Sequence, residues 1–445
     1  MRPSFAPCPC LAIPNSRSRA GRHGASVAAG ALVLALLAVL GSPQARAQGA
    51  QGIVAQSIFA QDVLVFSASQ AFRYESNLLR LPSGLSAAAA TGGAATSRSD
   101  LVSTTTIGAR FAREFSLQHV RADATVYRTR FRDNEVFDGT GYSLGGGWEW
   151  AYGRQWYGNA TLRADRALAS FSDIRSGERN EVDTEFLRLQ AGYRFTPSWS
   201  AIGAVDVLRR DNSAARFEGF DVRIAGVEGG ARWEPRSGAD WRFLWRHSEG
   251  SYPNRQVFDA LGNPLPVTID NGYSEDRLFT RLGLEPSDKT RVQADIGYTS
   301  RRFENLSQRD FGGITFGIDY TWRGSDLFQA TAYARRDIGG AETLTATYVD
   351  TRLVGTSARV LLGGRTSLNL QAEYGRQDYA GDPGFVLLSG PTRDDRIGLL
   401  AATIRYEVAR RIWLSFVARY ERRDSNYAAF DFGARTLGVT AEMLL

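Results

Sequence analysis

Thiols are nearly absent from this sequence: of 445 residues two are cysteine, Cys8 and Cys10, and both precede an apolar run over residues 25–40. Whatever follows that run has no means of forming a disulfide, holding a metal through sulfur or attacking through a thiolate. Lysine is confined to Lys289 and histidine to His23, His119 and His247. Positive charge is therefore carried by arginine, whose planar fork pairs with carboxylates and sugar hydroxyls. Downstream of residue 47 no apolar run is long enough to cross a bilayer as a helix, which leaves a closed sheet as the only route through a membrane. A phosphate loop, a dinucleotide fingerprint and zinc-ligand spacing are missing as well, and no cofactor is expected.

The N-terminus speaks to the compartment. Arg17, Arg19 and Arg22 precede the apolar run, and Gly41, Ser42 and Pro43 lead from it to Ala45-Arg46-Ala47. That is the layout of a secretory signal with a small-x-small cleavage site. Residues 1–47 are read as a cleavable signal peptide, 48–61 as a flexible periplasmic lead, and 62–445 as one domain. Because 1–47 hold five arginines and no acid, the formal charge of +6 falls by five to +1 on cleavage. The basic balance belongs to the discarded segment and argues against a nucleic-acid partner.

What is present from residue 62 onward is alternation. Trp241-Arg242-Phe243-Leu244-Trp245-Arg246, Arg291-Val292-Gln293-Ala294-Asp295-Ile296-Gly297-Tyr298, Ser367-Leu368-Asn369-Leu370-Gln371-Ala372-Glu373-Tyr374 and Arg411-Ile412-Trp413-Leu414-Ser415-Phe416 all repeat with period two, the signature of half-buried strands. The segments run to about 13–17 residues, roughly twice an ordinary soluble strand and more than the 9–11 that cross a bilayer at a tilt. Connections alternate in length. Short ones fall near 114–116, 153–154, 196–198, 234–239, 285–289, 323–326, 363–366 and 409–411, and longer ones near 75–98, 132–139, 172–180, 211–218, 250–270, 304–309, 337–350, 380–392 and 423–429. The expected fold is all-β: a transmembrane antiparallel up-and-down β-barrel of about 18 strands, or 16 if one hairpin is merged, with short periplasmic turns and long outer loops. It sits in the outer membrane of a Gram-negative cell, with both termini periplasmic. The Ala- and Gly-rich stretch 85–96 reads as a mobile outer loop.

If apolar residues face lipid, the alternate residues line the interior. By that rule Arg121, Asp123, Asn159, Arg163, Asp165, Arg188, Gln190, Arg277, Arg281, Gln293, Asp295, Asn369, Gln371, Glu373 and Arg419 face the lumen. Opposite charges on neighbouring strands can pair there without the desolvation cost of isolated ions. The ladder either braces the wall or contacts a polar solute such as a sugar chain. Trp148, Trp150, Trp156, Trp199, Trp233, Trp241, Trp245, Trp322 and Trp413, with Tyr142 and Tyr152, stand near segment ends, as interfacial girdles do. The last segment places Leu437, Val439, Ala441, Met443 and Leu445 on one face. It resembles the terminal strand by which such barrels are recognised by the barrel-assembly machinery, although that strand usually closes on an aromatic.

Catalysis finds little support. His119 lies beside a short turn, His247 shares a face with Trp245, and no serine pairs with either from sequence. Asp394-Asp395 and Glu421 read as solvated strand-end charges.

Residues 72–171 resemble the start of the EpsL-type outer-membrane proteins of exosortase-associated exopolysaccharide operons. The resemblance is carried by Tyr74-Glu75-Ser76-Asn77-Leu78-Leu79-Arg80-Leu81-Pro82, Arg98-Ser99-Asp100, Gly108, Gln118, Trp148/Trp150 and Ser170-Phe171. Ser76 departs from it, since the family has a second acid there. The resemblance implies a part in the assembly or export of an extracellular polysaccharide, with that polymer, its export machinery and outer-membrane lipid as partners, and no enzymatic activity. The rival readings are a general diffusion porin for small polar solutes and an outer-membrane hydrolase.

Overall fold

The computed structural model describes residues 63–172, 177–235, 238–258, 264–269, 272–304, 310–340, 348–380 and 392–445. The expected signal peptide and periplasmic lead lie outside these residues. The period-two segments form β1 (Val63–Glu75), β2 (Asp100–Phe115), β3 (Gln118–Phe131), β4 (Gly139–Tyr152), β5 (Trp156–Leu168), β6 (Glu181–Arg194), β7 (Trp199–Asn212), β8 (Val222–Trp233) and β9 (Asp240–Ser251). A separate two-stranded hairpin, β10 (Arg255–Phe258) and β11 (Pro264–Ile269), stands in the next connection. The wall then resumes as β12 (Tyr273–Ser287), β13 (Thr290–Phe303), β14 (Phe311–Ser325), β15 (Phe328–Gly340), β16 (Tyr348–Leu361), β17 (Thr366–Ala380), β18 (Asp394–Ala409), β19 (Ile412–Ser425) and β20 (Phe432–Leu444).

Each wall strand pairs antiparallel with the next, β9 pairs with β12, and β20 closes on β1, with Phe72 opposite Val439 and Tyr74 opposite Leu437. The result is a closed 18-stranded up-and-down barrel with no free edge, so every wall strand finds both hydrogen-bonding neighbours within the sheet. Sixteen strands are excluded. The short and long connections fall in the expected order, and two details differ. The connection expected as one loop over 250–270 contains the β10–β11 hairpin. The loop expected over 337–350 is narrower, because Asp337 pairs with Thr351 and Gly340 with Tyr348.

Register fixes the faces. One face carries Ile107, Val126, Leu144, Leu162, Val205, Val227, Leu278, Ile314, Leu400 and Leu437, all large and exposed. So continuous an apolar surface is far beyond what a soluble monomer shows and fits contact with lipid. Near the short turns this band ends in aromatics, including Trp156 against Tyr193 (4.8 Å) and the series Trp199, Trp233 and Trp241 (6.1 and 6.3 Å). Trp413 is a correction to the girdle. It points the other way and is buried beneath Arg405 at 4.9 Å.

Candidate functional site: a polar lumen with a narrowed mouth

The opposite face is concave. Tyr333 on β15 reaches Glu373 on β17 at 2.6 Å, and Arg188 on β6 reaches Glu228 on β8 at 2.8 Å, each spanning an intervening strand. Strand register puts all fifteen lumen candidates on this face. Glycines make room for the long ones. A Cβ at Gly145 would meet the Asp123 carboxylate at 2.4 Å, and one at Gly147 would meet Arg121 Nε at 2.6 Å. These side chains therefore lie flat over β4, a close approach that only glycine permits.

The candidates divide into two groups. Arg188, Arg277, Arg281 and Asp295 belong to one ion network over six adjacent strands, β6 to β9, β12 and β13. Arg188 donates to Asp206 (3.0 Å) and Glu228 (2.8 Å), and Arg246 donates to Asp206 through Nη2 (2.8 Å). Arg281 bridges Glu228 (3.5 Å) and Asp295 (2.9 Å), and Arg277 also donates to Asp295. Arg188, Asp206, Glu228 and Asp295 are buried, over an apolar base of Tyr157, Ile202, Leu244 and Phe279. This part of the wall is dry, where the sequence suggested wet pairing.

The remaining candidates face open space. Asp123 is exposed. Arg121 donates to Glu149 (3.0 Å), Ser143 donates to Asp165 (2.5 Å), and Gln371 donates to Glu373 (2.9 Å). Asn159, Arg163, Gln190, Gln293 and Asn369 are half-buried on the same face. Arg419 is the exception, with its side chain 11% exposed and paired with the buried Glu421. Arg335 with Asp319 (3.1 Å) adds to this group and was not anticipated.

At the loop end the mouth is narrowed from within. The connection from β1 to β2 turns inward and packs Leu78, Leu79, Leu81, Ala87 and Ala95 against Val102, Phe131, Phe137 and Phe171. Asn77 makes the turn: its Oδ1 accepts from Leu81 N–H (2.9 Å) and its Nδ2 donates to the carbonyls of Leu81 (2.9 Å) and Gly433 (3.0 Å). Arg80 is thereby held at φ 54°, a left-handed conformation costly for a side-chain-bearing residue. The same residue donates to Glu421 Oε2 through Nε (3.0 Å) and Nη2 (2.7 Å), and to Glu75 (3.4 Å). Asp100 accepts backbone N–H groups from Arg132, Asp133 and Asn134, tying in the next connection. Arg423 on β19 donates to the Ser172 carbonyl at 2.7 Å, across five strands.

Two expectations are corrected here. Residues 85–96 are a packed segment with helix α1 (Ala87–Thr91), capped by Ser86, and not a mobile loop. Asp395 and Glu421 are buried against arginines, Asp395 with Arg393 and Glu421 with Arg80 and Arg419, whereas Asp394 is partly exposed and pairs with Arg376. Asn77, Arg80 and Asp100, which fix the mouth, lie in the motif over residues 74–82 and 98–100 but were not picked out as functional positions.

The hydrolase reading gains nothing. His247 Nδ1 lies 3.0 Å from Asp276, its Nε2 faces Glu249 at 3.9 Å, and its ring stacks on Trp245, all on the lipid-facing side of the wall.

A family model described as "Putative beta-barrel porin 2" matches residues 280–443, from within β12 to β20. No curated protein matches the chain. Among solved structures, the chain is similar to OpdK with vanillate from Pseudomonas aeruginosa (10% identity, TM-score 0.45, 86% of this chain and 99% of that one). It is similar also to OccK2 (OpdF) in complex with glucuronate from the same organism (11%, 0.43, 86% and 100%). A third likeness is to the siderophore receptor PirA of Pseudomonas aeruginosa (7%, 0.40, 86% and 80%). The closed barrel and the family match define the class of protein, a porin-like outer-membrane β-barrel. The match falls on the C-terminal strands, whereas the EpsL-type resemblance falls on the first five.

Proposed function

We propose that the protein is a non-enzymatic channel for polar, hydroxyl-rich solutes. The observation that carries this reading is the partly exposed ladder of Arg121, Asp123, Asn159, Arg163, Asp165, Gln190, Gln293, Asn369 and Gln371 on the concave face. Guanidinium, amide and carboxylate groups at that spacing exchange hydrogen bonds with sugar hydroxyls or water at little net cost. Both ends of the wall, Val63 and Leu444, lie at the short-turn end, which this reading places in the periplasm, with β20 offered to the assembly machinery. Reconstitution in a planar bilayer tests it: stable ohmic conductance is expected, and a barrel that carries no current would defeat the proposal.

A second reading, secreted polysaccharide as the passenger, is favoured by one feature. The residues behind the EpsL-type resemblance, Glu75, Asn77, Leu78, Leu79, Arg80 and Asp100, are those that build the narrowed mouth. A polymer would thread a mouth held by a few ion pairs. Polymer-dependent block of the current, together with loss of surface polysaccharide on gene deletion, supports export. Unchanged polysaccharide removes it and leaves the porin reading standing.

A further inference from the structure

The outer rim of the barrel carries many arginines, and several are neutralised on the spot. Arg166 pairs with Asp183 (2.7 Å), Arg336 with Asp350 (2.9 Å), Arg376 with Asp378 and Asp394 (2.9 and 2.5 Å), and Arg422 with Asp424 (2.9 Å). These side chains share the lipid-facing register at the loop end of the strands. Three consecutive outward positions on β3 and just beyond it are different: Arg128, Arg130 and Arg132 are all exposed. Opposite Arg128 stand Thr105 on β2 and Thr140 on β4, and opposite Arg130 stands Ser103 on β2. No acid stands opposite Arg128; beside Arg130 the residue before β4 is Asp138, whose carboxylate accepts the Phe131 N–H (2.7 Å), and Asp133 and Glu135 belong to the connection past the strand end.

Directly toward the short turns, on the same outward face, the surface is bare hydrocarbon. Val126 is paired between Ile107 and Tyr142, and Ile107 and Val126 are 65% and 54% exposed. Ser103 accepts from Gln70 Nε2 (2.9 Å), which leaves its own hydroxyl proton free for a further acceptor. The patch thus joins three forked cations and a set of hydroxyls to an acyl-sized apolar surface beneath them. Arginine matches phosphate in bidentate fashion, and each cation at a bilayer surface adds roughly 1 kcal/mol toward anionic lipid.

We propose that the outer face of β2–β4 is a binding site for a phosphorylated glycolipid of the outer leaflet, with Arg128, Arg130 and Arg132 on its phosphate and Ile107, Val126 and Leu144 under its acyl chains. Free phosphate would satisfy the arginines alone. A lipid satisfies both halves of the patch. The choice of leaflet rests on the long loops facing outward, as the channel reading has them.

The experiment is lipid retention. The wild-type barrel is extracted from outer membranes in mild detergent, and co-purifying lipopolysaccharide is counted by native mass spectrometry. Beside it run Arg128→Gln/Arg130→Gln/Arg132→Gln and a control, Arg376→Gln/Arg422→Gln, which removes rim arginines already paired to aspartates. Folding of each is checked by its heat-modifiable gel mobility. Retention is expected to fall about tenfold or more in the triple variant and to persist in the control. Equal retention by the triple variant, equal loss in the control, or displacement of the lipid by inorganic phosphate would each overturn the proposal. Orientation is read separately: Glu135→Cys, the sole thiol after residue 47, should react with a membrane-impermeant maleimide on whole cells. Lack of labelling there would overturn the leaflet assignment and the channel's orientation together, whereas labelling with no lipid loss would sink the lipid site alone.

Discussion

Between β6 and β13 the inner wall keeps its charges almost dry, with Arg188, Asp206 and Glu228 at 7%, 5% and 4% side-chain exposure. Two strands further on, Arg335 and Asp319 meet at 3.1 Å with a third of each side chain in water. The residue types are the same and the pairing distances are nearly the same. What differs is the environment, and with it the function each arc can have. A charge in the dry arc has surrendered its hydration and depends wholly on its partners, so it braces the barrel. A charge in the open arc is still solvated and can exchange water for a passing solute.

The sharpest way to break this comparison is to remove one anion from each arc. Glu228→Ala strands Arg188 and Arg281 without a shared carboxylate and should cost about 3–5 kcal/mol, seen as a lowered unfolding midpoint of the detergent-folded barrel. Asp319→Ala should cost less than about 1 kcal/mol by the same measurement. Equal losses would mean that the two arcs are not distinct. Replacing Glu228 and Arg188 together by Met sharpens the point, since the double variant should recover much of the stability that the single one loses.

Next in size is the mouth, where the dry kind of pairing ties the inward connection to the wall. Arg80 joins Glu421, 341 residues away in sequence, to an inward connection whose backbone it also strains. Charged hydrogen bonds are worth about 1.5–3 kcal/mol each, and 1.4 kcal/mol is a factor of ten in population. Arg80→Gln should therefore raise the frequency of open-mouth conductance steps roughly tenfold or more, read in single-channel records. Unaltered gating would show that the Leu78–Leu79–Leu81 packing alone holds the connection in place.

A smaller effect is expected in the open arc itself. Asp319→Asn leaves shape and stability nearly intact but removes one fixed charge from the lumen, so the reversal potential under a salt gradient should move toward anion preference. No movement would place Asp319 off the ion path.

Period two made much of this visible in advance. Trp241-Arg242-Phe243-Leu244 could be assigned to faces because a strand has only two, and the alternation of short and long connections counted the strands. Sequence separation hid the rest. Nothing local in Arg188 says that Glu228 waits two strands over, nor in Arg80 that Glu421 does, because those partnerships exist only after the sheet has curved shut. Trp413 was assigned to the girdle by its residue type, yet its register turns it inward under Arg405. Residues 85–96 were misjudged from their small side chains, the feature that lets Ala87 and Ala95 pack tightly against Phe137 and its neighbours.

The smallest expected effect tests the outer face as a control for both arcs. His247 and Asp276 meet at 3.0 Å, the same spacing as Arg188 with Asp206, but on the convex side, with the carboxyl more than half exposed. A pair in that setting braces little, so His247→Ala should change the unfolding midpoint by no more than the equivalent of about 0.5 kcal/mol. The same variant bears on chemistry. A histidine whose two nitrogens face two carboxylates has no hydroxyl to activate, so lipase and protease assays on the wild-type barrel and on His247→Ala should agree at background. Wild-type turnover that vanished in the variant would reverse the non-enzymatic reading and move the working surface of the molecule from its lumen to its rim.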